Sequence, residues 1–123
     1  MIIIDDQTNT IQNDDILKAL GISEYKNAGD WSLEKCIYPR DRSVSIGRID
    51  NAIIVCEDLQ LVDSSMSPEL ADYEKALAKV NPDGEILSLA CLSSVNYHGY
   101  SLLQAGIKIR YKQVGTDGAL KEE

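Results

Sequence analysis

The sequence predicts an α+β fold, a single domain over residues 1–123 with a mostly antiparallel β-sheet and two helices, at about 13–20 and 68–80. A length of 123 residues fits one domain. Hydrophobic residues make up 44% of the chain and charged residues 26%, which are ordinary values for a globular protein. Strand-like runs are broken by separate helical patterns rather than alternating strictly with them, which favours α+β over α/β.

The first helix is predicted over residues 13–20. Asn13 is suited to the N-cap, and Asp14 and Asp15 complement the positive end of the helix dipole. Gly21 can take the left-handed conformation that ends a helix, with Ile22 folding back on Leu17.

Residues 23–57 carry two predictions. Residues 27–30 indicate a turn, residues 31–38 permit a strand, and residues 39–42 break it. The runs 43–49 and 52–57 then predict a hairpin, because Asp and Asn at 50 and 51 tolerate positive φ. Such a two-residue loop pairs Ile46 with Val55 and Arg48 with Ile53, and the apolar character of both faces favours a central position in the sheet.

The second helix is predicted over residues 68–80. Ser67 is the expected N-cap and Pro68 occupies the favoured first position. Apolar residues recur at helical spacing up to Val80, and residues 81–84 end the helix.

Three strands are predicted in the last third of the chain. Residues 85–93 form a continuous apolar run typical of a buried strand, and residues 96–104 and 107–113 form a hairpin through Ala105-Gly106. Residues 115–118 and 121–123 are expected to be frayed or exposed.

A two-residue loop at Ala105-Gly106 also predicts the two faces of that hairpin. On the core face it pairs Leu102 with Ile109, Tyr100 with Tyr111, and His98 with Gln113. The outer face then holds a basic row, which consists of Lys108, Arg110 and Lys112.

Bulk properties exclude several classes of function. A net charge of −8 opposes binding to a phosphate backbone, so no nucleic acid partner is expected. The three isoleucines after Met1 are too few for a signal peptide or a membrane span, so no membrane association is expected. Three cysteines without a close pair suit a reducing compartment, which predicts a cytoplasmic location.

No motif points to a cofactor or a metal, so none is predicted. Neither of the two glycine-rich nucleotide-binding motifs, GxGxxG and GxxxxGK followed by Ser or Thr, occurs in the chain. Cys36, Cys56 and Cys91 lack the close pairing of zinc ligands and are interpreted as buried small hydrophobes, although a catalytic cysteine partnered by His98 stays open.

The candidate binding residues lie on the last hairpin. His98 is the only histidine, and it is either a hydrogen-bonded structural group or part of a polar, aromatic pocket for a small ligand. That pocket would be lined by Asn96, Tyr97, His98, Tyr100 and Tyr111. The row of Lys108, Arg110 and Lys112 is interpreted as a solvated edge that prevents strand pairing, with an acidic partner as its alternative.

Three stretches of the chain resemble a family of uncharacterised bacterial proteins. They are residues 38–41 (Tyr-Pro-Arg-Asp), residues 53–58 (Ile-Ile-Val-Cys-Glu-Asp) and residues 94–101 (Ser-Val-Asn-Tyr-His-Gly-Tyr-Ser). The resemblance spans roughly residues 36–112 and implies a bacterial, cytoplasmic single domain. That family has no assigned activity, cofactor or catalytic residues, so none is carried over.

Three hypotheses for function follow. The first is a non-enzymatic binding or interaction domain that recognises a protein partner or a small ligand through the last hairpin. The alternative is a small, hydrolase-like enzyme that uses His98 as acid or base. The third is a homodimer in which the strand at 107–113 pairs across a two-fold axis.

Overall fold

The fold is given by a computed structural model. It describes residues 1–22, 43–57, 61–92, 97–114 and 120–122, with the backbone alone at residues 91, 92, 97 and 120–122. The predicted turn at 27–30, the predicted strand at 31–38 and the predicted break at 39–42 lie outside the described residues.

The described strands form one seven-stranded sheet in the order β2-β3-β1-β4-β5-β6-β7. Every neighbouring pair is antiparallel. In chain order the strands are β1 (Ile2–Asp5), β2 (Val44–Ile49), β3 (Ala52–Glu57), β4 (Glu85–Leu92), β5 (Tyr97–Gln104), β6 (Ile107–Val114) and β7 (Leu120–Glu122). The α+β prediction is therefore confirmed.

The first strand lies in the interior of the sheet. Ile2 pairs with Val55 of β3 on one side and with Ser88 of β4 on the other. Ile2 and Ile4 are almost fully buried. The three isoleucines after Met1 were considered above only as a signal peptide or a membrane span. In the structure they belong to the strand that joins the two halves of the sheet.

The first helix, α1 (Asn13–Ala19), ends as predicted. Gly21 has a φ of +83°, the Gly21 N–H donates to the Lys18 carbonyl and the Ile22 N–H to the Leu17 carbonyl, which is the Schellman arrangement. The N-cap position is occupied by Gln12 rather than by Asn13.

The second helix, α2 (Asp72–Val80), begins four residues later than predicted. Its N-cap is Ala71, so the prediction that Ser67 caps the helix is wrong. The Glu74 carboxylate accepts the Ala71 N–H at 3.0 Å, which is the contribution that a glutamate three residues after the N-cap makes to a capping box. Residues 61–70 instead form a connecting segment that includes a short 3₁₀ helix, Val62–Ser65.

All of the described helices pack on one face of the sheet, here called the covered face. Its most buried strand residues are Ile2, Ile4, Ile53, Val55, Ile86, Ser88, Ser101 and Leu103. Ile16 of α1 and Leu77 of α2 complete this core from the helix side.

The hairpin of β2 and β3 has the predicted register. Ile46 pairs with Val55, Arg48 pairs with Ile53, and Asp50 takes a positive φ of 54° in the turn. The predicted central position is wrong for β2, because this strand is at one edge of the sheet.

The hairpin of β5 and β6 has the predicted turn but a different register. Ala105 and Gly106 both have positive φ, as a two-residue hairpin turn requires. Leu103 pairs with Lys108, but Leu102 pairs with Arg110, so Ile109 is the extra residue of a β-bulge.

The bulge and the position of the helices contradict the predicted assignment of side chains to the two faces of this hairpin. The predicted pairs of Leu102 with Ile109, Tyr100 with Tyr111, and His98 with Gln113 are wrong. Tyr100 pairs with Lys112 and His98 with Val114. The covered face holds the buried residues Gly99, Ser101 and Leu103, whereas Tyr100 and Leu102, predicted for the core face, lie on the opposite side.

The chain end was also assigned wrongly in part. Residues 121 and 122, expected to be frayed or exposed, belong to β7, which pairs with residues 112–114 of β6. No helix among the described residues is long and apolar enough to cross a membrane.

Candidate functional site

The covered face contains a buried ion pair that the sequence analysis missed. The Lys108 side chain is 3% exposed and the Glu74 side chain 0%, and Lys108 Nζ lies 2.9 Å from Glu74 Oε1. The ammonium also donates to the carbonyl oxygens of Ser65 (2.6 Å), Ser67 (2.9 Å) and Glu69 (2.8 Å). Through these three hydrogen bonds, Lys108 connects the 61–70 segment to β6.

The remaining polar atoms of this cluster also have partners. Ser101 Oγ donates to Glu74 Oε2 at 2.7 Å, and the Tyr73 hydroxyl donates to Ser88 Oγ at 2.7 Å. Burial raises the pKa of the Tyr73 hydroxyl well above its usual value, because the phenolate would be poorly solvated there. In the described part of the chain, no buried side-chain N or O atom lacks a hydrogen bond.

The buried cluster can stabilise the fold but has no group available to a ligand. A buried ion pair in which every polar atom has a hydrogen-bond partner restricts the surrounding residues to one arrangement. The candidate functional surface must therefore lie elsewhere.

The opposite face of the sheet, here called the open face, is apolar and partly exposed across β4, β5 and β6. Ile107 is 66% exposed, Ile109 42% and Leu89 36%. Leu87, Tyr100 and Leu102 lie between them and are half-buried. The β4–β5 register places Leu87 opposite Leu102 and Leu89 opposite Tyr100, so these side chains form one continuous surface.

Cationic side chains border the open face on β6. Arg110 pairs with Leu102 and Lys112 pairs with Tyr100, so both belong to the open face. Arg110 is exposed and Lys112 is half-buried. His98 lies on the same face, exposed, and within the described residues its imidazole has no hydrogen-bond partner.

The structure separates the residues of the predicted aromatic pocket. Tyr111 pairs with Ser101 and lies on the covered face, whereas His98 and Tyr100 lie on the open face. Asn96 is outside the described residues, and Tyr97 is described as backbone at the start of β5. No pocket that contains both Tyr111 and His98 is formed, since the sheet itself lies between them.

The predicted basic row is split in the same way. Lys108 lies on the covered face, whereas Arg110 and Lys112 lie on the open face. The physical reason is Ile109, because an extra residue in a strand changes the side on which the following residues emerge. The prediction of a solvated row of three basic residues is therefore wrong.

The cysteines fit the structural interpretation as far as they are described. Cys56 is buried, as predicted. The backbone of Cys91 in β4 lies opposite that of His98 in β5, and Cys36 lies outside the described residues. No group of three histidine, cysteine or acidic residues that could hold a metal occurs among the described residues.

A shallow groove lies between α1 and α2, with a volume of about 370 Å³. It is lined by Asp15, Lys18, Ala19, Asp72, Lys75, Ala76, Lys79 and Val80. Acidic and basic side chains alternate along it, so it presents no single charge to a ligand.

Comparison of the chain with family models, with curated proteins and with solved structures gives no match. The resemblance to uncharacterised bacterial proteins therefore stays a prediction. The candidate site is the open face, and its function has to be argued from its own chemistry.

Proposed function

We propose that this protein is a non-enzymatic, cytoplasmic binding domain that receives a protein partner on the open face. The observation that carries the proposal is the exposure of Ile107, Ile109 and Leu89 on one continuous sheet surface. Contiguous exposed apolar surface rimmed by polar residues is typical of protein interaction sites. The cytoplasmic part of the proposal is supported by three cysteines without a close pair.

The chemistry of the open face suits a protein surface better than a small ligand. A small ligand is normally enclosed in a concave pocket, whereas the open face is a broad sheet surface without a walled cavity among the described residues. Aromatic and arginine side chains at its centre and border, such as Tyr100 and Arg110, are the types that contribute most to protein interfaces.

The proposal is tested by affinity capture from cytosol of the native host, with quantitative mass spectrometry of the bound proteins. The Leu89→Asp variant places a charge in the middle of the open face. The matched control is Lys79→Asp on α2, an exposed position on the helix side. We expect the captured partner to be lost with Leu89→Asp and kept with Lys79→Asp, while circular dichroism shows both variants folded.

Charge reversal at the border gives a second, independent measurement. Arg110→Glu combined with Lys112→Glu should weaken capture of the same partner and make the remaining binding less sensitive to salt. Equal capture by the wild type, by Leu89→Asp and by the charge-reversed variant would refute the open face as the binding surface.

The enzyme hypothesis keeps one observation in its favour, the register that sets Cys91 opposite His98. A thiol activated by a neighbouring imidazole reacts as a thiolate below the usual pKa of cysteine. The test is the rate at which iodoacetamide labels Cys91 near neutral pH, followed by peptide mass spectrometry. A His98→Ala variant that is labelled as fast as the wild type would remove this alternative.

A further inference from the structure

We propose that the free edge of β2 binds an extended segment of a partner protein as one more antiparallel strand of the sheet. The segment alternates apolar and polar residues, and basic residues precede this alternation. Strand addition is a recurring mode of peptide recognition, in which main-chain hydrogen bonds hold the peptide and side chains select it. The edge is separate from the open face, so the proposal does not rest on the proposed function.

The direction of the β2 backbone groups follows from the pairing of the neighbouring strands. The Asp6 N–H donates to the Asn51 carbonyl oxygen at 2.7 Å, so the backbone of Asn51 faces β1. Backbone groups of successive strand residues point to alternate sides, so the residues of β3 that face β2 are Ala52, Ile54 and Cys56. Their partners in β2 are Ile49, Gly47 and Ser45. The outward residues of β2, whose N–H and C=O groups point away from β3, are therefore Val44, Ile46 and Arg48.

These outward residues form an unpaired edge. Among the described strands, β3 is the one neighbour of β2. In the described part of the chain, the backbone groups of the outward residues have no hydrogen-bond partner. A row of unpaired N–H and C=O groups is a template for a further strand.

The two edges of the described sheet differ in their protection. Natural edge strands are commonly short, bulged, or interrupted by proline or charge. The edge strand β7 has three residues, whereas β2 has six, contains no proline and pairs with β3 without a bulge. The one charged side chain of β2, Arg48, donates to the Ile11 carbonyl oxygen at 2.6 Å and lies 3.5 Å from Asp6, so it is held toward α1. β2 is therefore the edge that suits strand addition.

The side chains of β2 specify the alternation in the partner. Val44 and Ile46 are half-buried and pack against the hydrophobic core of the covered face, so apolar residues opposite them extend that core. On the other face, nothing lies within 4 Å of a Cβ atom placed at Gly47, which leaves room for polar side chains. The added strand therefore has apolar residues opposite the outward residues and polar residues between them.

Charge favours a basic partner over a second copy of the chain. The exposed Asp50 follows β2 in the turn, and an antiparallel strand begins beside this turn. Lysine or arginine residues ahead of the apolar alternation are therefore attracted to Asp50. The net charge of −8 makes two copies of the chain repel each other and attracts a basic segment.

The probe is the synthetic peptide Lys-Lys-Val-Thr-Val-Thr-Val, titrated into the full, isotope-labelled chain and followed by NMR of the backbone amides. In the free protein, we expect fast hydrogen exchange at the three outward amides of β2 and slow exchange at the three amides that bond to β3. The peptide should shift the resonances of the outward amides and slow their exchange.

Matched peptides separate strand pairing from other modes of binding. Methylation of the central valine nitrogen removes a donor that faces Ile46 and should raise the Kd about tenfold. Methylation of a neighbouring threonine nitrogen, which faces away from β2, should leave the Kd unchanged. Glutamates in place of the two lysines should weaken binding severalfold at low salt.

A variant of the protein gives the complementary measurement. Ile46→Pro removes an outward N–H without removing a bond to β3, and proline is tolerated at such edge positions. We expect Ile46→Pro to abolish peptide binding and the matched Ile46→Val to keep it. Because the methylated peptides test the same contact on the wild type, the proposal stays testable if Ile46→Pro does not fold.

Slow exchange at the outward amides of the free protein, equal affinity of the two methylated peptides, or shifts confined to the open face would each overturn the proposal. Protection of the outward amides that rises with protein concentration would overturn it in favour of a second copy. Leu89→Asp should bind the peptide as the wild type does. Failure of the peptide to bind thus leaves the proposed function of the open face standing, and loss of that function leaves the edge standing.

Discussion

Lys108 shows how a residue that alternates with apolar neighbours can be buried. Its ammonium is surrounded by one carboxylate oxygen and three carbonyl oxygens, all within 2.9 Å. The alternation of Ile107, Lys108 and Ile109 predicts an exposed lysine, because a strand pattern carries no information about a carboxylate on a distant helix. The pairing with Glu74 thus could not be predicted from spacing.

Replacement of Lys108 by methionine should strongly destabilise the protein. The buried Glu74 carboxylate would lose its counter-ion, and three carbonyl oxygens would lose a donor. We expect the free energy of unfolding to fall by about 3–5 kcal/mol, measured by urea denaturation. Lys75→Met, at an exposed position of α2, should change it by less than about 0.5 kcal/mol.

The same experiment has an internal check. Glu74→Gln removes the buried charge, and its amide oxygen can still accept the Ala71 N–H while its NH2 group donates to Ser101 Oγ. The double variant with Lys108→Met should therefore be more stable than Lys108→Met alone. A double variant that is no more stable would show that the loss does not arise from the uncompensated carboxylate.

Tyr73 should make the protein sensitive to alkaline pH. Burial raises the pKa of its hydroxyl, so the unfolded chain ionises at lower pH than the folded one. The resulting stabilisation is complete below the unfolded value of about 10 and is lost as pH rises above it. Tyr73→Phe should cost about 1 kcal/mol at neutral pH, through the lost bond to Ser88, and should show a shallower fall in stability between about pH 9 and pH 11. Parallel pH profiles for the two proteins would contradict this role.

Gly99 is required by close packing. A Cβ atom at this position would lie 2.5 Å from the Lys112 carbonyl oxygen and 3.0 Å from Met66 Sδ. Gly99→Ala should therefore destabilise the protein by about 1–3 kcal/mol in urea denaturation. At Gly47 nothing lies within 4 Å of such an atom, so Gly47→Ala should be neutral or stabilising by up to about 1 kcal/mol. Similar losses at both glycines would exclude the contact as the cause.

Among the elements, the turns and the C-terminal ends of the helices were predicted better than the helix starts and the register of β5 with β6. The stop of α1 at Gly21 and the turns at residues 50–51 and 105–106 depend on local backbone preferences that the sequence displays directly. The start of α2 depends instead on Lys108, which binds carbonyls of residues 65, 67 and 69. Long-range contacts of this kind override a local signal such as Ser67-Pro68.

Deletion of Ile109 should be tolerated. Lys108 already pairs with Leu103 and Arg110 with Leu102, so removal of the extra residue between them leaves every later side chain of β6 on its present face. We expect a folded protein by circular dichroism with a cooperative unfolding transition. Deletion of Tyr111 is the contrasting variant, since it would turn Lys112 toward the covered face and should abolish the transition. Loss of the fold in both deletions would show that the bulge itself is essential.

For the whole molecule, the fold class was predictable and the arrangement of the sheet was not. Composition and the order of strand and helix patterns indicate α+β, but the order of strands depends on contacts between residues far apart in the chain. Residues 2–5 are a short run that gives no period, so β1 was missed although it joins the two halves. The open face was missed because the sequence does not show which side of the last hairpin the helices cover, and they cover Gly99 and Ser101.

The central position of β1 predicts that its buried residues control global stability. Ile4 is 1% exposed, and Ile4→Ala should cost about 2–5 kcal/mol of unfolding free energy. Ile3 is half-buried on the other face of the same strand, so Ile3→Ala should cost roughly half as much. Chemical denaturation of the two variants compares the faces directly, and equal losses would contradict the assignment of the core to the covered face.

The position of β1 also has a consequence for synthesis on the ribosome. Of the described strands, β1 is translated before the others; it pairs with β3 and with β4, and β4 ends at Leu92. At about 5–20 residues per second, roughly 4 to 20 s pass before both neighbours of β1 have been translated. The hairpins of β2 with β3 and of β5 with β6 can form locally as they emerge. The isoleucines of β1 cannot complete their pairing until β3 and β4 have both been translated. The nascent chain therefore exposes the buried isoleucines of β1 until β4 has been translated.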